Sequence, residues 1–515
     1  MTSGFLALVL FLASAGGLIV EIVAGRLIAP YVGMSLYTWT AIIAVVLAGL
    51  SVGHWIGGRL AGPEVDRRRG FLRLAVALAL AAASSLFARV ILSDLALGLL
   101  ESGLGQVTVV VVLTVALFLL PSLFVGVVAP IVTKLAVDGD PGRAGAVLGR
   151  MYALGTVGSI AGTLAAGFLF ISWVGAGGTL LAVTVLYAVL AFVCALLAGR
   201  RTASATVAAM LVVGGALSTV GVVRGAFAER CTEESDYFCI IVDDFAPISG
   251  RPSALMALDN LVHGINDRAD PSLLYSPYIQ FVDEYVRRHR GFGAGFSAFF
   301  VGGGGYTLPR SWAATVPGAR LLVAEIDPAV TRVAAERLWL DPADPALEIR
   351  HADARVVLQS LPRDPAFDVV FGDAFHDISV PTHLVTTEFH REVAARLRPG
   401  DFYVVNVVDA ARNPMFLAAL THTLAQDFPA VEIWREVAAD GQAADDRVTY
   451  IVLATGRATS AGDLVSAFGI ERRWERVALR TLMDADTGAP VLLTDDYAPV
   501  DRLLSSVLFA RVGGR

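Results

Sequence analysis

The sequence predicts an α-helical transmembrane bundle followed by an α/β Rossmann-like domain with a small N-terminal β lead-in. Three observations carry this reading. Hydrophobic residues make up 55% of the 515 positions and charged residues 17%, too apolar for an ordinary soluble chain. Charges are scarce from Met1 to about Gly225 and return at normal density from about Phe227. Beyond that point short apolar strands alternate with helical stretches, the pattern of a parallel sheet with crossover helices. The expected division is 1–225 for the bundle, 226–290 for a linker and the lead-in, and 291–515 for the Rossmann-like domain.

Spanning a hydrocarbon core takes roughly 20 apolar residues. About seven stretches qualify: Phe5–Ile28, Trp39–Leu60, Phe71–Leu92, Val107–Lys134, Ala146–Ile171, Thr179–Leu197 and Ala205–Val223. The first lacks a basic start, contains Glu21 and Arg26 and is followed by further spans, so it reads as a span and not as a cleaved leader. The fourth carries Pro121 and Pro130 and is expected to kink or break. The fifth carries Gly155, Gly158, Gly162 and Gly167, which let helices approach closely. Glu21, Arg26 and His54 lie in or near spans, where ionisable groups are costly; they serve either function or helix packing.

Basic residues in short loops set orientation. Arg67, Arg68 and Arg69 follow the second span and Arg200 and Arg201 the sixth, while Asp94 and Glu101 flank the third-to-fourth connection. The reading is a multi-pass protein of the cell (inner) membrane, in contact with the lipid bilayer, with its N-terminus cytoplasmic. A net charge of −7 without a basic stripe excludes a phosphate-tracking surface, and so nucleic acid. Three cysteines make no disulfide framework, and no Cys/His cluster has metal-ligand spacing, so no metal is expected. Cys231 and Cys239 either pair in an oxidising compartment or stand as isolated thiols.

In the soluble half, two strands (Tyr237–Val242 and Ala254–Leu258) and a helix (Pro277–Arg290) lead in. The strand Ser297–Val301 then runs directly into Gly302, Gly303, Gly304 and Gly305, where the backbone can turn tightly against a ligand. Strand Arg320–Ala324 ends in Glu325-Ile326-Asp327, about 20 residues on, the place for an acidic grip on ribose hydroxyls. Strand Leu347–His351 leads to Asp353 and Ala354, and strand Phe367–Phe371 to Asp373. Successive strands thus deliver carboxylates at their C-terminal ends, where open α/β sheets bind ligands. Asp327 before Pro328, and Asp353, equally suit helix caps. The glycine block lacks dinucleotide spacing and no second mononucleotide half follows, so the site fits an S-adenosyl-type nucleoside, whose sulfonium charge carboxylates attract.

These residues resemble the spermidine synthase (polyamine aminopropyltransferase) family, in particular its branch fused to a multi-span membrane region, over about residues 232–410. Met256-Ala257-Leu258-Asp259-Asn260 resembles the family's Leu-Asp-Gly lead-in, Tyr275 its Tyr-His-Glu region, Val301–Gly305 its Gly-Gly-Gly-Asp-Gly turn, Glu325-Ile326-Asp327 its Glu-Ile-Asp and Phe367–Asp373 its strand into the gate loop. The resemblance implies that Glu325 holds ribose, that Asp353 and Ala354 hold adenine, and that Asp373 is the catalytic general base. It implies no bound cofactor, decarboxylated S-adenosylmethionine as co-substrate, and a di- or polyamine such as putrescine as acceptor. Departures fall on the amine side: Gly305 replaces the turn aspartate, His376 (beside Asp377) the second gate-loop aspartate, and His263 the lead-in glutamine. The amine-site candidates are Tyr237, His263, Tyr275, His376 and Asp377.

The enzyme alternative is an S-adenosylmethionine-dependent methyltransferase; the non-enzymatic one is a transporter or sensor with a nucleoside- or polyamine-binding domain. No Arg or Lys lies in the glycine turn before Arg310 to receive an α-carboxylate, which favours the decarboxylated donor. Thr494–Pro499 either adds carboxylates or opens a helix. The sequence leaves homo-oligomerisation open. Seven crossings from a cytoplasmic N-terminus put the soluble domain outside, whereas the cytosolic origin of S-adenosyl nucleosides tilts the expectation slightly towards the cytoplasmic side.

Overall fold

The computed structural model describes residues 2–62, 64–293, 295–375, 380–437, 447–484 and 488–509. The chain divides between Arg230 and Cys231 into two compact units.

The first unit contains α1 (Thr2–Val32), α2 (Leu36–Leu60), α3 (Arg67–Glu101), α4 (Gln106–Asp138), α5 (Ala144–Ala165), α6 (Ile171–Ala198) and α7 (Arg200–Val223). Six continuous helical stretches among the described residues are apolar and long enough to cross a membrane, one of them the 58 residues from Pro141 to Ala198. Straight, that stretch would extend ~87 Å, far beyond a ~30 Å hydrocarbon core. It folds back instead. Gly175, at φ 70° and ψ 170°, leaves the helical region within the range of α6, so the short turn of helix before it continues α5 and the helix proper of α6 starts after it.

Contacts show the reversal. Gly158 and Gly162 of α5 face Phe11 and Ala15 of α1 in the same order, so these helices are parallel. Helices α1 and α3 are parallel as well: the rings of Phe5 and Phe71 lie 6.2 Å apart near one end, and Tyr31 Oη and Ser93 Oγ lie 2.8 Å apart near the other. Helix α6 opposes α3, with Gly177 beside Arg89 and the Ala198 carbonyl accepting from Arg68 Nε at 2.7 Å. The bundle therefore has seven alternating segments.

Helix α4 continues through both Pro121 and Pro130, so of the expected kink or break the break does not occur. A proline leaves one helical carbonyl without its usual donor, and in a bundle neighbouring helices hold the backbone in place. Here α2 clamps α4 at backbone contact: a Cβ on Gly53 would stand 2.1 Å from the Leu123 carbonyl oxygen. Helix α7 is the least enclosed, with only Ala203 and Gly221 buried.

In the second unit, β1 (Glu233–Glu234), β2 (Cys239–Asp244), β3 (Ser253–Leu258) and β4 (Leu261–Asp267) form an antiparallel sheet in that order. A one-turn helix, α8 (Ala246–Ser249), joins β2 to β3. Two of these strands lie outside the sequence reading. β1 is two residues long, and β4 carries His263, Gly264, Asn266 and Asp267, a composition that reads as turn. Cys231 and Cys239 are disulfide-bonded with Cα atoms 5.2 Å apart, closing the approach to β2 into a small ring.

Helix α9 (Pro277–His289) leads into the larger sheet. Its elements are β5 (Ser297–Val301), α10 (Thr307–Thr315), β6 (Arg320–Glu325), α11 (Pro328–Arg337), β7 (Leu347–His351), α12 (Ala354–Ser360), β8 (Phe367–Gly372), α13 (Thr387–Ala394), β9 (Leu397–Ala410), α14 (Met415–Leu424), β10 (Ala430–Glu436), β11 (Arg447–Thr455), β12 (Asp463–Val465) and β13 (Arg473–Val477). The strand order is β12-β13-β10-β11-β9-β8-β5-β6-β7. Strands β5 to β9 are parallel where they pair, and β10 to β13 add antiparallel partners. Strand β5 pairs with β6 on one side and β8 on the other. That is where strand order reverses, and the crevice at its C-terminal end is the natural ligand site of such a sheet. Behind it Phe281, Tyr285, Trp312, Trp434 and Trp474 are fully buried and hold α9 and α10 on the sheet.

The helix contacts can be tested by adding one methyl group. A Cβ on Gly158 would stand 2.3 Å from the Phe11 carbonyl oxygen, whereas Gly149 on the same helix has nothing within 4 Å. Gly158→Ala should cost about 1–3 kcal/mol or more, and Gly149→Ala should be neutral or stabilise by up to ~1 kcal/mol. Thermal unfolding of the detergent-solubilised proteins reads both.

Candidate active site

The crevice is built from the turn after β5. Gly302 (φ 96°) and Gly304 (φ 49°) adopt left-handed backbone. A Cβ on Gly302 would meet the Asp373 carbonyl at 3.1 Å, so β5 and β8 close together only with glycine there. The turn is pinned by β6: the Glu325 carboxylate accepts from the N–H of Gly303 at 2.8 Å, of Gly304 at 3.3 Å and of Asp327 at 2.9 Å. Burial raises the Glu325 pKa, and the three backbone donors oppose that rise.

Beneath the turn lies Tyr306, a buried residue at φ 53°. Its ring would meet a Cβ on Gly303 at 2.5 Å. Its hydroxyl lies 2.6 Å from Thr331 Oγ1, which in turn lies 2.9 Å from His351 Nε2 at the end of β7. Above the turn, the His263 carbonyl accepts from Gly305 N–H at 3.1 Å. A Cβ on Gly305 would stand 2.7 Å from Gly264 Cα, so the strand β4 backbone fills the space an aspartate side chain would need.

Asp373 follows β8 on the opposite lip. Asn406 Nδ2 of β9 donates to Oδ1 at 2.8 Å, and Tyr278 Oη of α9 donates to Oδ2 at 3.2 Å. Burial pushes the carboxyl up to about 7, although both hydrogen bonds pull the other way. Tyr278 is raised in turn, by burial and then by the facing carboxylate.

The other sequence candidates divide. Asp353 caps α12, its Oδ1 accepting from Arg355 and Val356 N–H at 2.9 and 3.1 Å, while Oδ2 lies 2.7 Å from His383 Nε2. Ala354 is buried in the first turn of α12. Asp327 caps α11 through Ala329 N–H at 2.9 Å and takes Ser235 Oγ at 2.5 Å, so both its oxygens hold the fold together. His263 adjoins the glycine turn; its Nδ1 lies 2.8 Å from the Leu261 carbonyl, and burial lowers its pKa to about 4.

Tyr275 Oη donates to Asp267 at 3.2 Å in a separate cluster with Arg251. Tyr237 is 40% exposed in the β1–β2 turn. His376 and Asp377 lie outside the described residues. From the C-terminal stretch, Asp495 binds the Arg355 guanidinium at 2.6 and 2.7 Å and clamps that segment to α12. Pro499 then opens a four-residue helix.

Sequence reading missed Tyr278 and Asn406. Asn406 did leave a signal, as one amide in the apolar run Phe402–Val408. A buried strand keeps such a residue only where it has a partner.

No family model matches the chain. A polyamine aminopropyltransferase from Vibrio vulnificus (strain CMCP6) is 27% identical over 113 residues, 22% of this chain and 38% of the relative. A probable polyamine aminopropyl transferase from Bifidobacterium longum (strain NCC 2705) is 26% identical over 222 residues, 40% of this chain and 48% of the relative. Over part of its length the chain is thus similar to polyamine aminopropyltransferases. It spans less than half the length of these two relatives. Among solved structures, a probable spermidine synthase from Corynebacterium glutamicum ATCC 13032 is similar with a TM-score of 0.42 and 19% identity, over 50% of this chain and 96% of that one. A spermidine synthase in complex with the transition-state analogue AdoDATO has a TM-score of 0.29 and 17% identity, over 40% and 67%.

The raised Asp373 carboxyl makes a stability prediction. Its folded value of about 7 exceeds an unfolded value near ~3.9, so its ionisation destabilises the fold as pH rises between the two and fully above 7. Asp373→Asn should therefore unfold at higher temperature than wild type at pH 8, with the gain shrinking towards pH 5. Melting curves across that range check it.

Proposed function

We propose that this chain is a membrane-bound aminopropyltransferase that moves an aminopropyl group from decarboxylated S-adenosylmethionine to a di- or polyamine, releasing methylthioadenosine. The observation that carries the reading is Asp373 itself, held by Tyr278 and Asn406 at the strand-order reversal beside the glycine turn. In this reading Glu325 receives the ribose hydroxyls and Asp353 with Ala354 borders the adenine. Arg310, the first cation after the turn, is engaged by the Trp339 and Arg268 carbonyls, at 3.0 and 3.4 Å. These contacts use two of its five N–H donors, and no lysine or arginine precedes it in the turn, which favours the decarboxylated donor over S-adenosylmethionine.

The amine nitrogen attacks the propyl carbon bonded to sulfur. A C–N bond forms, the C–S bond breaks with its electron pair going to sulfur, and the nitrogen's proton passes to Asp373. An alkylammonium has a pKa near ~10.4, so giving its proton to an ordinary carboxylate near ~3.9 costs about 9 kcal/mol. Giving it to Asp373, at about 7, costs roughly half that, about 4–5 kcal/mol. Turnover at ~10 s⁻¹ allows a total barrier of ~16 kcal/mol, so the desolvated carboxyl leaves most of it for the displacement.

The helices belong, in this reading, to a multi-pass protein of the cell membrane with a cytoplasmic N-terminus. Incubating the purified protein with each labelled S-adenosyl donor and a panel of amines should yield methylthioadenosine and an amine heavier by one aminopropyl group; S-adenosylhomocysteine would overturn the reading. Asp373→Asn should lower kcat by ~10²-fold or more. In wild type, kcat/KM should rise through a pH near 7 on the acid side, where Asp373 ionises. The kcat profile should rise at lower pH, because a bound sulfonium cation favours the carboxylate. Glu325→Gln should weaken binding of the thioether product by about 1–2 kcal/mol, measured by calorimetry.

A further inference from the structure

The connections at one face of the bundle are basic, and those at the other carry no lysine or arginine. Ten lysines and arginines, from Arg59 to Arg73, from Lys134 to Arg150, and at Arg200 and Arg201, cluster at the connections α2–α3, α4–α5 and α6–α7. The stretches 27–58, 90–133 and 151–199, which contain the connections α1–α2, α3–α4 and α5–α6, have no lysine or arginine. Short connections rich in basic residues remain cytoplasmic. The Phe5–Phe71 and Arg150–Ser3 contacts place the start of α1 on the same basic face.

The exit of the chain is fixed at the other face. Because Gly175 turns α5 back into α6, α7 runs parallel to α1 and α3. Gly199, at its start, lies beside Arg68, and Gly221, near its end, beside Val90. Arg224 Nη1 meets Asp94 Oδ2 at 2.6 Å. The Arg230 guanidinium sits 4.3 Å from the centroid of the Tyr31 ring, at the end of α1 opposite the basic face. The next residue, Cys231, is disulfide-bonded to Cys239, and such bonds persist in oxidising compartments and are rare in the cytosol.

From these two independent observations we infer that every residue after Arg230, and with it the nucleoside crevice and Asp373, lies on the extracytoplasmic side of the membrane. The inference replaces the slight cytoplasmic tilt of the sequence reading. It does not depend on which group is transferred, so its failure leaves the proposed chemistry standing and the reverse also holds.

The test uses the full-length protein in intact spheroplasts and a membrane-impermeant maleimide. The native thiols are silent reporters, Cys194 being buried and the other two bonded. Arg457→Cys and Gly142→Cys place a thiol on exposed positions of the soluble unit and of the α4–α5 connection. Arg457→Cys should be labelled before lysis and Gly142→Cys only after it; the opposite pattern overturns the inference. On the unaltered chain, alkylation followed by mass analysis should modify Cys231 and Cys239 only after a reductant is added. Alkylation of both without reductant also overturns it.

Discussion

A single buried carboxylate organises the crevice. Glu325 is 5% exposed at the end of β6, and removing a carboxylate from water costs several kcal/mol unless hydrogen bonds compensate. Three converging N–H groups supply that compensation, two from the turn after β5 and one from the start of α11. The requirement runs in both directions. The turn has its shape because its donors point at Glu325, and Glu325 is tolerated in a buried place because the turn supplies those donors. A carboxylate offers about four lone-pair directions. With three in use, one direction is left for a further donor, and a second further donor binds only by displacing a backbone N–H.

Much of the fold was legible because its signals are local. Apolar length marks a span regardless of its neighbours, and strand, glycine turn and acidic tip follow one another within a few residues. The boundaries of β5 and β7 agree with the sequence reading because both are bounded by turn residues, β5 as a short apolar run and β7 as an alternating Leu-Glu-Ile-Arg segment. What was not legible depended on distant partners. Strand β4 forms because β3 pairs with it, in spite of its turn-like composition. Helix α4 survives two prolines because α2 presses glycine against it. Tyr278 and Asn406 reach Asp373 across 95 and 33 positions of sequence, a separation that no local pattern encodes.

The roles of acidic residues show the same divide. Asp327 and Asp353 sit at corresponding strand tips, yet Asp327 is consumed by a helix cap and a serine, whereas Asp353 keeps one oxygen turned to an exposed histidine. The difference arises from what β1 and the segment after β8 happen to place nearby. The inferred outward placement of the crevice also bears on the proposed reaction. Its donor carries a permanent sulfonium charge that does not diffuse through lipid, so an outward translocation step has to deliver it.

The backbone reversal at Gly175 has an evolutionary reading. It makes the number of apolar segments odd, and with each of them crossing, as inferred, parity decides in which aqueous phase everything downstream is folded. Gaining or losing one passage would carry the C-terminal unit into the opposite phase, away from the oxidising side inferred from its disulfide. Homologous architectures that retain the outward lobe should therefore differ by pairs of helices, never by one.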